Sequence, residues 1–204
     1  MAYFPMFLDL TGKDCLVVGG GEVALRKVKM LLDFDATVTV IAPRIAEELY
    51  SLSEVTFLQR KYEMSDLAGR TLVVAATDEK EQNREICKEC KERGIPVNAV
   101  TEPENGTFYF PAYLKKKQVV AAFSSGGQGP VVSQYLKAQT EKVMTDLLGE
   151  MAEYMGAIRL RVIQEVPEKE RRREVFRQLF SLGMESGQIP DEAQYKQILD
   201  NHRL

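Results

Sequence analysis

Asp14-Cys15-Leu16-Val17-Val18-Gly19-Gly20-Gly21-Glu22-Val23-Ala24 is an apolar run that breaks into glycines and continues with helical spacing. This is the strand–turn–helix opening of a dinucleotide-binding domain, in the form G-x-G-x-x-A on Gly19, Gly21 and Ala24. Gly19 permits the tight turn out of the strand, Gly21 lets backbone approach a pyrophosphate, and Ala24 lets the helix pack closely on the strand. The pyrophosphate belongs at the helix N-terminus, where N–H groups and the helix dipole favour negative charge. The helix that follows keeps Val23, Val28, Met30, Leu31 and Leu32 apolar among Arg26, Lys27 and Lys29, and the β-branched residues 37–42 read as a second strand. The expected unit is βαβ, and the expected cofactor a dinucleotide.

An acid at the end of the second strand, about 20 residues past the glycines, normally selects NAD, and an arginine there accepts the 2′-phosphate of NADP. The position reads Ile41-Ala42-Pro43-Arg44, without an acid. Arg44 therefore either serves a 2′-phosphate or solvates a loop.

Further along, residues 45–52 read as a short helix, 55–58 and 71–76 as strands, 81–93 as a helix and 95–100 as a strand. Strands alternating with helices predict an α/β fold, a Rossmann-type parallel sheet wound on both faces. Ligands of such sheets gather at the carboxyl ends of the strands. Gly19 to Gly21, Pro43-Arg44, Thr77-Asp78 and the stretch from Asn98 to Glu102 all follow strands, so they are expected to line one crevice.

The chain has 204 residues, 45% of them hydrophobic and 28% charged, with a net charge of −3. That describes a soluble globular protein with room for one Rossmann-type domain and a smaller second unit. The charge argues against nucleic acid as a partner. The start, Met1-Ala2-Tyr3-Phe4-Pro5, lacks a basic region and a cleavage site, and no apolar run is long enough to span a membrane, so a cytoplasmic location is expected. Three cysteines do not make a disulfide framework. Cys15 reads as core, and Cys87 and Cys90 form a C-x-x-C inside a helix, not at a helix start where thiolates are stabilised. No second cysteine pair or nearby histidine completes a metal set, and His202, the one histidine, reads as solvated near the end of the chain.

Beyond residue 107 the character changes. Phe108-Tyr109-Phe110-Pro111-Ala112-Tyr113 is aromatic, Lys115-Lys116-Lys117 reads as a basic turn and 118–123 as a strand. Then Ser124-Ser125-Gly126-Gly127-Gln128-Gly129-Pro130 precedes an amphipathic helix over 131–148, with Pro130 suited to its first position. Two hydroxyls and three glycines before a helix form a second anion-receiving turn, with the wrong spacing for another dinucleotide fingerprint. A dinucleotide plus an acidic substrate is the pairing this suggests; a hinge between domains is the plainer alternative. Residues 150–164, 168–182 and 191–201 read as charged helices, with Arg171-Arg172-Arg173 a solvated face.

Taken together, Phe4-Pro5-Met6-Phe7-Leu8-Asp9-Leu10, the 17–24 turn, Ala75-Ala76-Thr77-Asp78, Val97-Asn98-Ala99-Val100, Phe108-Tyr109-Phe110-Pro111-Ala112 and Ser124-Ser125-Gly126-Gly127 stand in an order and spacing that resembles the precorrin-2 dehydrogenase family, the N-terminal module of siroheme synthases. The resemblance covers roughly the first 145 residues closely and the helical tail loosely. It implies NAD as cofactor and the oxidation of precorrin-2 to sirohydrochlorin in siroheme synthesis, with iron insertion added in some members. It implies an NAD-binding domain over 1–113, a dimerisation segment over 114–147 and a helical domain over 148–204. The partners implied are a tetrapyrrole substrate and a second copy of the chain, with neither nucleic acid nor membrane.

By the same resemblance Gly19, Gly21, Glu22, Val23, Pro43, Arg44, Thr77 and Asp78 would hold the dinucleotide. Asn98, Ser124, Ser125, Gly126 and Gly127 would hold the substrate, Ser125 matching a serine of the family's tetrapyrrole pocket. The family usually carries an aspartate after the Val-Asn-x-Val strand as its acid/base group. Here that position is Thr101, followed by Glu102 and Glu104, so Thr101 and Glu102 are the catalytic candidates. Iron insertion is the less expected half, since no histidine or cysteine lies near. A non-catalytic dinucleotide- or tetrapyrrole-binding protein that lost the carboxylate is the alternative.

Overall fold

Every second residue of the apolar strands faces the opposite side of the sheet, so runs such as Cys15-Leu16-Val17-Val18 need cover on both faces. The computed structural model describes residues 4–202, so the reading of Met1, Ala2 and Tyr3 as free of a leader lies outside the described residues. The chain divides into two compact units, with the boundary between Phe110 and Pro111.

The first unit runs β1 (Asp14–Val18), α1 (Glu22–Leu32), β2 (Thr37–Ile41), α2 (Glu47–Tyr50), β3 (Val55–Leu58), β4 (Leu72–Ala75), α3 (Lys80–Glu92) and β5 (Val97–Ala99), with short 3₁₀ turns at Met64–Leu67 and Pro103–Asn105. The five strands are parallel in the order β3-β2-β1-β4-β5. Val18 pairs with Ile41 on one side and Ala75 on the other. Strand order therefore reverses between β1 and β4, and that is where a doubly wound sheet opens its ligand crevice. On one face Cys15, Val17, Val38, Val40 and Val74 pack with Ala24, Val28 and Leu31 of α1. On the other, Leu16, Val18, Val73, Ala75 and Val97 pack with Ile86, Cys87 and Cys90 of α3. The doubly wound α/β architecture read from the sequence is the one observed.

The second unit opens with an antiparallel hairpin, β6 (Ala112–Lys116) and β7 (Val119–Phe123), followed by α4 (Pro130–Glu141), α5 (Asp146–Glu165), α6 (Lys169–Ser186) and α7 (Glu192–Asp200). Lys115 and Lys116 are strand, not turn; only Lys117 takes the left-handed conformation at the hairpin tip, with φ 55°. Three lysines suggest a solvated turn from composition alone, but cross-strand pairing to Val119 and Val120 recruits two of them. The helix expected over 131–148 is broken at residues 142–145, where Met144 turns inward to 3% exposure. The break re-aims α5 so that Gly149 lies on the backbone of β6, where a Cβ would stand 2.6 Å from the Lys116 carbonyl oxygen. Ile158, Val162, Val175, Leu179, Tyr195 and Leu199 form the core of the three last helices. His202 is half-buried, its Nε2 3.4 Å from Gln178 Oε1, because the end of α7 folds back on α6.

Candidate functional site

The glycine turn is built by its neighbours. Gly19 donates its N–H to the Ile41 carbonyl at 2.9 Å, and Ala76 donates to the Val18 carbonyl at 2.8 Å, so the end of β1 is held from both sides. Gly19 has φ 131°, and a Cβ there would stand 2.2 Å from the Ala76 carbonyl oxygen. At Gly20 a Cβ would meet the Arg44 carbonyl oxygen at the same 2.2 Å. Nothing lies within 4 Å of where a Cβ would stand at Gly21. The first two glycines thus serve close packing, while the third leaves open space in front of α1. The first helical bond of α1 runs from the Leu25 N–H to the Gly21 carbonyl at 3.0 Å, and no side chain caps the N–H groups ahead of it. Glu22 is exposed and Val23 half-buried, and their backbone N–H groups belong to the first turn of α1, where an N–H has no acceptor within the helix. An uncapped helix start with an empty glycine approach fits a dinucleotide pyrophosphate.

The other strand ends flank this turn. Pro43 and Arg44 follow β2 and are exposed, with no acid between Ile41 and Ala46 to hold a ribose hydroxyl. Thr77, after β4, donates its N–H to Asn83 Oδ1 at 3.1 Å, and its hydroxyl lies 2.8 Å from the same oxygen. Asp78 beside it is exposed. Asn98 on β5 is 5% exposed and donates its amide to the Phe108 carbonyl at 3.1 Å, which braces the aromatic segment.

Thr101 is exposed just past β5, and its hydroxyl accepts from Asn83 Nδ2 at 3.4 Å. Glu102 is clamped. Arg84 on α3 donates to both of its carboxylate oxygens, at 2.7 and 2.6 Å, and Asn105 donates to one of them at 2.9 Å. The Arg84 hydrogen bonds hold the Glu102 carboxyl below its ordinary range. A carboxylate so neutralised is a poor proton acceptor.

Asn83 and Arg84 were not singled out by sequence reading. The signal for Asn83 was available: a polar residue three, four and seven positions before Ile86, Cys87 and Cys90 sits on the buried stripe of its helix. For Arg84 none was, because its partner is 18 residues away. Lys27 on α1 places its ammonium 4.2 Å from the centre of the Phe110 ring, and burial lowers its pKa. The thiols are buried and free; burial pushes Cys15 up to about 11 and Cys90 up to about 12, so neither is a nucleophile at neutral pH. Among the described residues no group of three His, Cys, Asp or Glu side chains could hold a metal ion, and no helix is long and apolar enough to cross a membrane.

In the second unit, Ser124 Oγ accepts from the Gly126 N–H at 3.2 Å and Ser125 Oγ from the Gly129 N–H at 3.1 Å. Gly126 and Gly127 take left-handed φ values of 65° and 80°, which a side chain would strain. Pro130 opens α4, as expected, and α4 carries no side-chain cap. Its outer face is apolar: Val131 is 81% exposed and Tyr135 62%.

Residues 6–112 match the family model described as "Putative NAD(P)-binding", and residues 147–201 match that described as sirohaem synthase dimerisation region. A siroheme synthase of Thioalkalivibrio sulfidiphilus is 38% identical over 88% of the chain, and one of Pseudomonas aeruginosa 36% over 99%. The chain spans 37% and 44% of the length of these two relatives. Among solved structures, "SirC, precorrin-2 dehydrogenase" matches with a TM-score of 0.70 and 21% identity over 98% of both chains, which establishes the shared fold. Two family models covering both ends of the chain, relatives along nearly all of it and a common fold agree with the resemblance to the precorrin-2 dehydrogenase module. The chain belongs to the NAD(P)-binding family, in the form that siroheme synthases share, with a sirohaem synthase dimerisation region behind it.

Proposed function

We propose that this chain binds NAD at the Gly19–Gly21 turn and uses it to oxidise precorrin-2 to sirohydrochlorin in siroheme synthesis. The observation that carries the reading is the open glycine approach at the reversal of strand order, in a chain whose siroheme synthase relatives match it over nearly its whole length. When bound, NAD would supply the hydride acceptor, and the two-electron oxidation would release one hydride to it and one proton. Gly19, Gly21, Glu22 and Val23 would bind the pyrophosphate, with Pro43, Arg44, Thr77 and Asp78 along the rest of the dinucleotide. The Ser124-Ser125-Gly126-Gly127 turn would serve the carboxylate-rich substrate through hydroxyls and a helix start. Asn98, expected beside it, is 5% exposed with its amide bonded to the Phe108 carbonyl, so its part would be to hold the aromatic segment. Buried free thiols suit a reducing cytoplasm. Anaerobic incubation with precorrin-2 and NAD tests the reading: NADH and the sirohydrochlorin band should rise together, and their absence with bound NAD would favour a binding protein instead.

Neither Thr101 nor Glu102 at the end of β5 draws the proton. Thr101 cannot accept one at neutral pH, and Glu102 is tied to Arg84 with its pKa lowered. A positioned general base typically contributes 10²–10⁴-fold, so Thr101→Asp should raise turnover about tenfold. Glu102→Gln should change it less than about twofold. Because the Glu102 pKa is depressed, its pairing with Arg84 persists above the ordinary carboxylate range and is lost only as pH falls through the folded value; the rate profile near neutrality should carry no ionisation from it.

Self-association into a homodimer accompanies this reading. The exposed apolar face of α4, with Val131, Val132, Tyr135 and Leu136, adds to the dimerisation-region match. Light scattering should give twice the chain mass at micromolar concentration; a monomer there would reject the dimer.

A further inference from the structure

Asn83 is the fourth residue of α3, and only 2% of it is exposed. It stands on the face that Ile86, Cys87 and Cys90 press against the sheet, where an apolar residue would cost less to bury. Its amide is committed on both atoms. Oδ1 accepts from the Thr77 N–H at 3.1 Å and lies 2.8 Å from the Thr77 hydroxyl. Nδ2 donates to the Thr77 carbonyl at 2.8 Å and, at 3.4 Å, to the Thr101 hydroxyl. A side chain bonded to both the N–H and the C=O of one residue fixes that residue's peptide planes, and burial stiffens the arrangement further.

Thr77 matters because of where it stands. The missing Cβ of Gly19 makes room for the Ala76 carbonyl, and a Cβ there would also lie 3.2 Å from the Thr77 nitrogen. The turn after β4 is therefore the wall against which the glycine turn is set, on the β4 side of the reversal in strand order. Thr101, at the end of β5, is the next position along the same edge.

We infer that Asn83 is a positioning residue of the dinucleotide site: it holds the Thr77 turn against the glycine turn and spaces the Thr101 hydroxyl from both. It touches no ligand and acts through the two loops it joins. The inference rests on the NAD-binding reading above.

Calorimetry with NAD, paired with thermal unfolding, tests it. In Asn83→Ala the NAD Kd should rise about tenfold, as expected for loss of one buried, well-made set of bonds. Cys87→Ala, one turn further along the same buried face, should lower the unfolding temperature while leaving the NAD Kd within about twofold. Thr77→Val removes the hydroxyl, which lies 2.8 Å from Asn83 Oδ1 and also accepts from the Glu79 N–H at 3.2 Å, and should raise the Kd about threefold, which keeps the test open if Asn83→Ala does not fold. With precorrin-2 as substrate, Asn83→Ala should raise KM for NAD more than it lowers kcat. A folded Asn83→Ala with unchanged NAD affinity, or an unchanged Thr77→Val where Asn83→Ala does not fold, overturns the inference. So does Cys87→Ala weakening NAD as much as Asn83→Ala does. A parent protein that binds no NAD overturns the NAD-binding reading itself and the inference with it.

Discussion

The two glycine turns solve one problem in opposite ways. At Gly19-Gly20-Gly21 the backbone is fixed from outside: β2 and β4 grip it, and a side chain at either of the first two positions would meet a carbonyl oxygen at 2.2 Å. At Ser124-Ser125-Gly126-Gly127 the backbone is fixed from within: two serine hydroxyls accept the turn's own N–H groups, and no neighbour lies within 4 Å of a Cβ at Gly126. The first turn leaves its helix start open to a ligand, whereas the second already occupies part of its donor capacity with serines. A rigid cradle suits a pyrophosphate of invariant shape. A self-satisfied turn, whose hydroxyls rotate, suits carboxylates that arrive in several arrangements.

The largest effect expected from this contrast is at Gly21. Gly21→Asp puts a charge where the pyrophosphate approaches and should weaken NAD binding by at least about a hundredfold in calorimetry, with the fold retained because that space is open. Gly19→Ala should do the reverse and destabilise the sheet itself, seen as a lower unfolding temperature, because both φ and the Ala76 contact forbid a side chain. If Gly19→Ala were as stable as the parent, external packing would not be what shapes the first turn.

Gly126→Ala should cost about 1–2 kcal/mol of stability from its left-handed φ alone, with no steric part, and should leave NAD binding unchanged. Smaller still, Ser125→Ala frees the Gly129 N–H and should cost about 0.5–1.5 kcal/mol by denaturant unfolding. Its effect on substrate should appear in KM for precorrin-2. A Ser125→Ala protein with both quantities unchanged would mean that this turn is a hinge and not a pocket.

Much of this was legible from local signals. Val17-Val18-Gly19 announced a strand ending in a tight turn, and the spacing of Ile86, Cys87 and Cys90 announced which face of α3 would be buried. The lysines at 115 and 116 misled because a solvated turn and an exposed strand share a composition, and only pairing with β7 separates them. The break at 142–145 was hidden because amphipathic spacing continues across it. Glu102 was a candidate base on adjacency to the strand, and nothing within a few residues could reveal Arg84.

By itself the sequence determined the doubly wound sheet, the class of cofactor and the place of each glycine turn, because hydrophobic period, glycine spacing and strand order are properties of neighbouring residues. Only the tertiary structure decided which polar groups remain free to act. Packing α3 on the sheet delivers Arg84 to Glu102 and Asn83 to Thr77 and Thr101, and so turns one candidate base into half of an ion pair and one helical asparagine into a brace. Hydrogen bonds between elements depend on how those elements meet in space, and that is set by the whole core.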